Sequence, residues 1–182
     1  MPKQSVLPPL VISALLLCFY YLLMPWHDAL LMRYPRVIDG AWWQIITGQL
    51  MHHDQPHLWF NVIGVWIGWL LFPEQLKHTK HWWVTLPILL ASSAGQLLGA
   101  PSYEVYAGFS GTLYGLFAYA AFKDALAKQW IGMVVLAALV LKIIFDLDQP
   151  ATGDAVAVFA HIGGALCGII LVFLSRFSVP KT

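Results

Sequence analysis

The sequence predicts an all-α polytopic membrane protein: a compact bundle of six transmembrane helices with a membrane-embedded first loop. Three observations carry that expectation. Apolar residues make up 59% of the 182-residue chain and charged residues only 10%, against about 25% charge in soluble domains. Mean hydropathy is +0.70, and the apolar residues gather into six stretches. Glycine and alanine recur at helical spacing inside two of those stretches, the pattern with which membrane helices approach closely.

The first stretch runs from Leu7 to Trp26. Lys3 precedes it, as in an export signal, but no small residue stands before Cys18 and no A-x-A-like site follows. A retained helix is expected. The long loop from His27 to Pro56 contains an apolar, Trp-rich segment, Ala41–Met51. It is too short to span, and tryptophan favours the membrane–water interface, so it is read as a helix lying in the outer leaflet. The second span covers His57–Phe72, the third Trp82–Leu98, the fifth Trp130–Phe145 and the sixth Ala155–Leu174. Several are near 16 residues, short of the ~20 of a simple span, so boundaries are expected to move by a few residues. The fourth, Phe109–Phe122, is shorter still. Its 14 residues make a helix of about 21 Å in a hydrocarbon core of roughly 30 Å. If it ends at the face carrying Lys123 and Asp124, it begins roughly 10 Å below the opposite surface. The loop before it, Gly99–Ala107, must then dip into the membrane, which is tolerated only against protein or a wet cavity. Residues 1–182 read as one domain.

Charge sets the orientation. Lys3, Lys77, Lys80, Lys123, Lys128, Arg176 and Lys181 fall on one side of this topology, while Arg33 and Arg36 are the only loop cations on the other. Both termini are therefore expected in the cytoplasm, with the N-terminal end of the fourth helix facing outward, toward the periplasm if the chain sits in a bacterial inner membrane. A net charge of +1 offers no basic face for nucleic acid. Cys18 and Cys167 both lie in apolar stretches and define neither a disulfide framework nor a metal spacing.

Ser110, at the start of the short fourth helix, is the first candidate for chemistry. A serine hydroxyl is a weak nucleophile unless a neighbour takes its proton. His161 in the sixth span is the candidate base, an ionisable group where such groups are costly. His161, Gly164, Ala165 and Gly168 share one helical face; Gly111, Gly115 and Ala118 make a matching stripe on the fourth helix. Packing these stripes together would join Ser110 to His161, with Tyr114 one turn along to hold the imidazole. Each residue also has a plain structural reading: small interface residues, a hydrogen-bonded interior histidine, a core aromatic. The second span adds His57 and Asn61, four apart on one face. An amide and an imidazole N–H suit a developing oxyanion, joined by the backbone N–H of Ser110. A metal is the rival reading, since His53 and His57 are also four apart, but the glutamate of a zinc helix is missing and no further ligand has zinc-like spacing. No carboxylate completes a triad: Asp154 precedes His161 by seven residues, so a Ser–His dyad without cofactor or metal is expected. Lys142 and Asp146, four apart in the fifth span, read as a structural ion pair.

These motifs together resemble the rhomboid intramembrane serine proteases. Gly108-x-Ser110-Gly111-x-x-Tyr114 is similar to the family's nucleophile motif, Ala160-His161-Ile162-x-Gly164 to its sixth-helix motif, and His52-x-x-x-x-His57-x-x-x-Asn61 to its second-helix histidines and oxyanion asparagine. The likeness runs from about Trp42 to Gly168. It implies a rhomboid-like bundle in which Ser110 is the nucleophile, His161 the general base and acid, and Asn61 and His57 the oxyanion site, with His52, Gly108, Gly111 and Tyr114 in support. One departure is Trp43-Gln44, where the family often has Trp-Arg in the first loop. Within the family, the bare core, Trp43…Thr47-Gly48…His52, Tyr106–Gly111 and Lys142 look most like rhombosortases. That implies transmembrane substrates, secreted proteins with C-terminal Gly-Gly-containing anchors, cut within the lipid bilayer. Three other readings remain: a non-catalytic rhomboid-like protein that binds membrane helices for quality control, a small transporter, and a metal-dependent membrane protease.

Overall fold

The computed structural model describes residues 5–76, 79–100, 105–148 and 157–177. Lys3, Lys77, Glu104, Asp154, Lys181 and the first two residues of the expected sixth span lie outside them. In chain order the helices are α1 (Leu7–Tyr21), α2 (His27–Leu30), α3 (Tyr34–Ile38), α4 (Gln44–Leu50), α5 (Gln55–Leu71), α6 (Pro73–Leu76), α7 (Thr85–Gly99), α8 (Ser110–Leu126), α9 (Trp130–Leu147) and α10 (Val158–Phe177). Among the described residues there is no strand, only an isolated bridge between Met32 and Tyr106.

Six of these helices, α1, α5, α7, α8, α9 and α10, hold 15 to 20 residues each and follow the order of the six expected spans. Two, α9 over Trp130–Leu147 and α10 over Val158–Ser175, are long and apolar enough to cross a bilayer alone. A third joins them if α1 and Met24–Leu30, bent by 67°, count as one broken span.

Three of the boundaries that moved have a local reason. The first helix stops at Tyr21 rather than Trp26, because Pro25 has no N–H to continue the ladder. Trp82–Val84 belong to a 3₁₀ turn ahead of α7, with Trp82 Nε1 donating to Leu76 O at 2.5 Å. The fourth helix runs on to Leu126, since its polar end is partnered: Gln75 Nε2 donates to Asp124 Oδ1 at 2.7 Å and Lys123 Nζ to the Tyr119 hydroxyl at 3.3 Å.

The surface of α9 is that of a protein solvated by lipid. Met133, Val134, Val140, Leu141, Ile144 and Phe145 are all exposed, and only Gly132 and Asp146 of this helix are buried. A contiguous apolar face of that size has no place in water.

The first loop is a built structure. Asp28 pairs with Arg33 at 2.5 Å and Arg36 at 2.7 Å, and the Arg36 hydrogen bond, with the nearby Arg33 charge, holds its carboxyl below the usual range. Gln44, standing where the family often has arginine, is buried; it accepts from Arg33 N at 3.1 Å and donates to Ala29 O at 3.1 Å. Trp43 Nε1 donates to the same carbonyl at 3.0 Å. The Ala41–Met51 segment holds a helix, α4, that buries Gln44, Gly48 and Gln49 while Trp43 and Ile46 face outward. Its polar side points inward, the reverse of a soluble helix.

Gln49 locks this loop to the bundle. Its Nε2 donates to Ser92 Oγ at 2.9 Å and to Ser93 Oγ at 3.0 Å on α7. Its Oε1 accepts from Thr112 Oγ1 at 2.9 Å on α8. Gln49→Ala strands the buried Thr112 hydroxyl and the acceptors of both serines. We expect a loss of about 2 kcal/mol or more, read as a drop in Tm of roughly 4–8 °C in detergent.

Candidate active site

Ser110 is the first residue of α8 and its neighbours fix where that helix starts. Tyr106 and Met32 exchange two backbone hydrogen bonds, at 2.8 and 3.1 Å, and Gly108 N donates to Gly48 O at 3.0 Å. The Tyr106 hydroxyl closes back on Gly108 O at 2.9 Å. Gly108 itself has φ +128°, and a Cβ there would stand 2.5 Å from His57 Cε1; the position combines a backbone state open to glycine with direct cover by the His57 ring. The chain leading to the serine is thus clamped to the first loop before α8 begins. The first ladder bond of α8 is Leu113 N to Phe109 O, so the N–H groups of Ser110, Gly111 and Thr112 have no partner within the helix.

His161 arrives from α10, which packs mainly on α8 and α7. The expected stripes meet: a Cβ at Gly164 would lie 2.0 Å from Gly111 O, and one at Gly168 would lie 2.2 Å from Gly115 O. Only hydrogen atoms fit between these backbones. The close approach leaves Ser110 Oγ 3.0 Å from His161 Nε2. The Tyr114 ring stacks on the imidazole with centroids 4.0 Å apart and planes 2° from parallel. His161 is 4% exposed, so its orientation is held by packing on both sides.

Asn61, His52 and His57 form a second cluster, which reaches the serine's approach through the His57 ring over Gly108. Asp54 caps α5 by accepting from His57 N at 2.7 Å. The buried Asn61 directs its amide nitrogen at His52 Nε2, 3.0 Å away, and donates to His57 O at 3.0 Å. Burial holds the His52 imidazole far below its ordinary value, at about 3, so the ring is neutral and accepts through Nε2 with its proton on Nδ1. In this state Asn61 spends its N–H groups on the protein. His57 packs edge-on to His52 with centroids 5.1 Å apart.

The His53 and His57 rings stack at 15° with centroids 6.3 Å apart. In-plane lone pairs on near-parallel rings do not meet at one point, and among the described residues no three His, Cys, Asp or Glu side chains converge. The zinc-helix spacing therefore forms a ring stack.

Two features went unread in the sequence. Gln49, Ser92, Ser93 and Thr112 form the polar lock under α8; a glutamine and two serines inside apolar segments were its only signal. Asp146 does pair with Lys142, but it also reaches His161, with Oδ2 3.6 Å from Nδ1.

Residues 39–177 match the Rhomboid domain. The chain is similar to the putative rhomboid protease YdcA of Bacillus subtilis, 24% identical over 169 residues that cover 91% of this chain and 85% of that protein. It is similar to Rhomboid protease GlpG of Haemophilus influenzae, 24% identical over 148 residues, 79% of this chain and 76% of that one. It also matches the chloroplastic Rhomboid-like protein 11 of Arabidopsis thaliana, 26% identical over 152 residues, 75% of this chain and 54% of the plant protein. With most of its length under the family's domain, the chain belongs to the rhomboid family of intramembrane serine proteases.

Proposed function

We propose that this rhomboid protease works through Ser110 as nucleophile and His161 as its general base and acid. The observation that supports it most is the 3.0 Å contact between Ser110 Oγ and His161 Nε2 at a buried helix start. As Oγ attacks the scissile carbonyl carbon, its proton passes to Nε2. The imidazolium returns that proton to the leaving amine when the C–N bond breaks. Water then repeats the sequence on the acyl-enzyme. The N–H groups at the start of α8 face the developing oxyanion, with Asn61 and His57 as further donors once Asn61 releases one internal bond. Gly108 and Gly111 admit the close backbone approaches, Tyr114 fixes the imidazole, and His52 holds Asn61.

Six helices cross the bilayer in this reading, α1, α5, α7, α8, α9 and α10, the shorter ones flanked by loops that dip into it. The lysine and arginine distribution supports cytoplasmic termini and a site open to the periplasm of a bacterial inner membrane. The substrates are transmembrane segments that unwind at the outer leaflet. The rhombosortase-like residues Trp43, Thr47, Gly48, His52 and Lys142 favour C-terminal Gly-Gly anchors of secreted proteins as the class.

The test is fluorophosphonate labelling of the purified full-length protein in detergent. Wild type is expected to label, and Ser110→Ala and His161→Ala to stay unlabelled at equal folding. A folded wild type that neither labels nor cuts a model transmembrane substrate overturns the assignment.

A further inference from the structure

The Lys142–Asp146 pair stands apart from its surroundings. α9 presents apolar side chains almost everywhere, yet the one side chain it buries beyond Gly132 is a carboxylate. Asp146 is 1% exposed at its side chain, while Lys142 is 49% exposed. A pair that served only to neutralise Lys142 would gain nothing by burying the acid and leaving the base half open. The two carboxylate oxygens are used differently. Oδ1 pairs with Lys142 Nζ, whereas Oδ2 faces His161 Nδ1 at 3.6 Å. Oδ2 and Nδ1 are both buried without a hydrogen-bond partner, an arrangement that native interiors rarely keep without a use.

The tautomer supplies the use. For Nε2 to accept the Ser110 proton, the neutral imidazole must carry its hydrogen on Nδ1. Asp146 Oδ2 is the carboxylate oxygen 3.6 Å from that nitrogen, and closing the gap by a few tenths of an ångström brings the two within hydrogen-bonding distance.

We propose that Asp146 is the positioning residue for His161 and that Lys142 holds Asp146 in place. This rests on the Ser110–His161 reading and extends that dyad by a carboxylate from α9. Asp146 keeps the hydrogen on Nδ1, fixes the ring plane together with Tyr114, and stabilises the imidazolium that forms when Oγ–H gives its proton to Nε2. The proton on Nδ1 never leaves His161. Lys142 occupies Oδ1, so that Oδ2 is left for the histidine. The contact between Asp146 and His161 tightens when positive charge appears on the ring, which is when it assists the reaction.

The experiment uses the full-length protein in proteoliposomes, with a fluorescent single-span reporter substrate and Tm followed alongside. Asp146→Asn is expected to lower kcat about 10²-fold with KM within about twofold, and to slow fluorophosphonate labelling in the same proportion. Lys142→Arg, which can still hold Oδ1, is expected to keep most of kcat. The double variant Lys142→Met/Asp146→Asn leaves no unpaired charge, so a purely structural pair would tolerate it; here its kcat is expected to stay as low as that of Asp146→Asn. Wild-type kcat in Asp146→Asn, or its return in the double variant, overturns the proposal while the dyad stands, provided Ser110→Ala and His161→Ala are dead in the same assay. Cleavage by Ser110→Ala overturns the dyad reading itself.

Discussion

His161→Ala will lower kcat on a transmembrane substrate by about 10⁴-fold or more, with KM within about threefold. The size follows from the role proposed for the imidazole as base and acid at this serine. Among the described residues it is the side chain that hydrogen-bonds Ser110 Oγ, at 3.0 Å. Without it the hydroxyl must lose its proton to water, and the leaving amine loses its acid as well. KM should hardly move, because the buried ring touches Ser110 and Tyr114 and offers little surface to a substrate helix. The fold should survive with a modest penalty. Losing a ring stack costs about 0.5–1.5 kcal/mol, and the vacated space adds a cavity term. Steady-state kinetics in proteoliposomes, with Tm measured in parallel, checks both halves. A drop below tenfold at unchanged Tm would mean another group takes the serine proton.

What the sequence made legible here was local periodicity. Ser110 and His161 could be paired in advance because small residues recur every three to four positions after each, and two such faces have few other ways to pack. Tyr114 followed from the same helical arithmetic. Asp146 escaped because the rotation of α9 has no signature: a helix apolar on nearly every side carries no period that names its inner face. Its seating is set at the far end, where a Cβ on Gly132 would strike Ala121 O and Ala125 N of α8. Sequence distance then pointed to Asp154 as the acid to weigh, and Lys142 seemed a sufficient partner for Asp146. Gln49 was hidden for a related reason. Its partners lie more than 40 residues along the chain, and glutamine in a Trp-rich interfacial segment reads as facing water. In this helix the polar residues Gln44 and Gln49 face the protein, while the apolar Trp43 and Ile46 face outward.

Gly164→Ala will reduce activity at least about 10²-fold and lower Tm by roughly 3–10 °C, from the addition of one methyl group. That Cβ would sit 2.0 Å from Gly111 O and 3.4 Å from Gly115 N. Its neighbours are backbone, which no rotamer change can move. An ordinary contact needs about 3.5 Å, so α8 and α10 must part by roughly 1.5 Å. Gaps of that size forfeit much of the dispersion energy along the seam, and lipid gives the two helices no hydrophobic drive to offset the loss. The Ser110–His161 contact suffers first. Ser110 adjoins Gly111, and His161 stands one turn before Gly164, so the separation acts almost directly on the 3.0 Å contact and carries it beyond hydrogen-bonding reach. Gly68→Ala on α5 is the matched control. Its Cβ would meet Leu76 Cδ1 at 3.5 Å, an ordinary contact, and both activity and Tm should hold. If Gly164→Ala instead behaves like Gly68→Ala, the two helices are not zipped through their glycines, and the serine is brought to the histidine by some other packing.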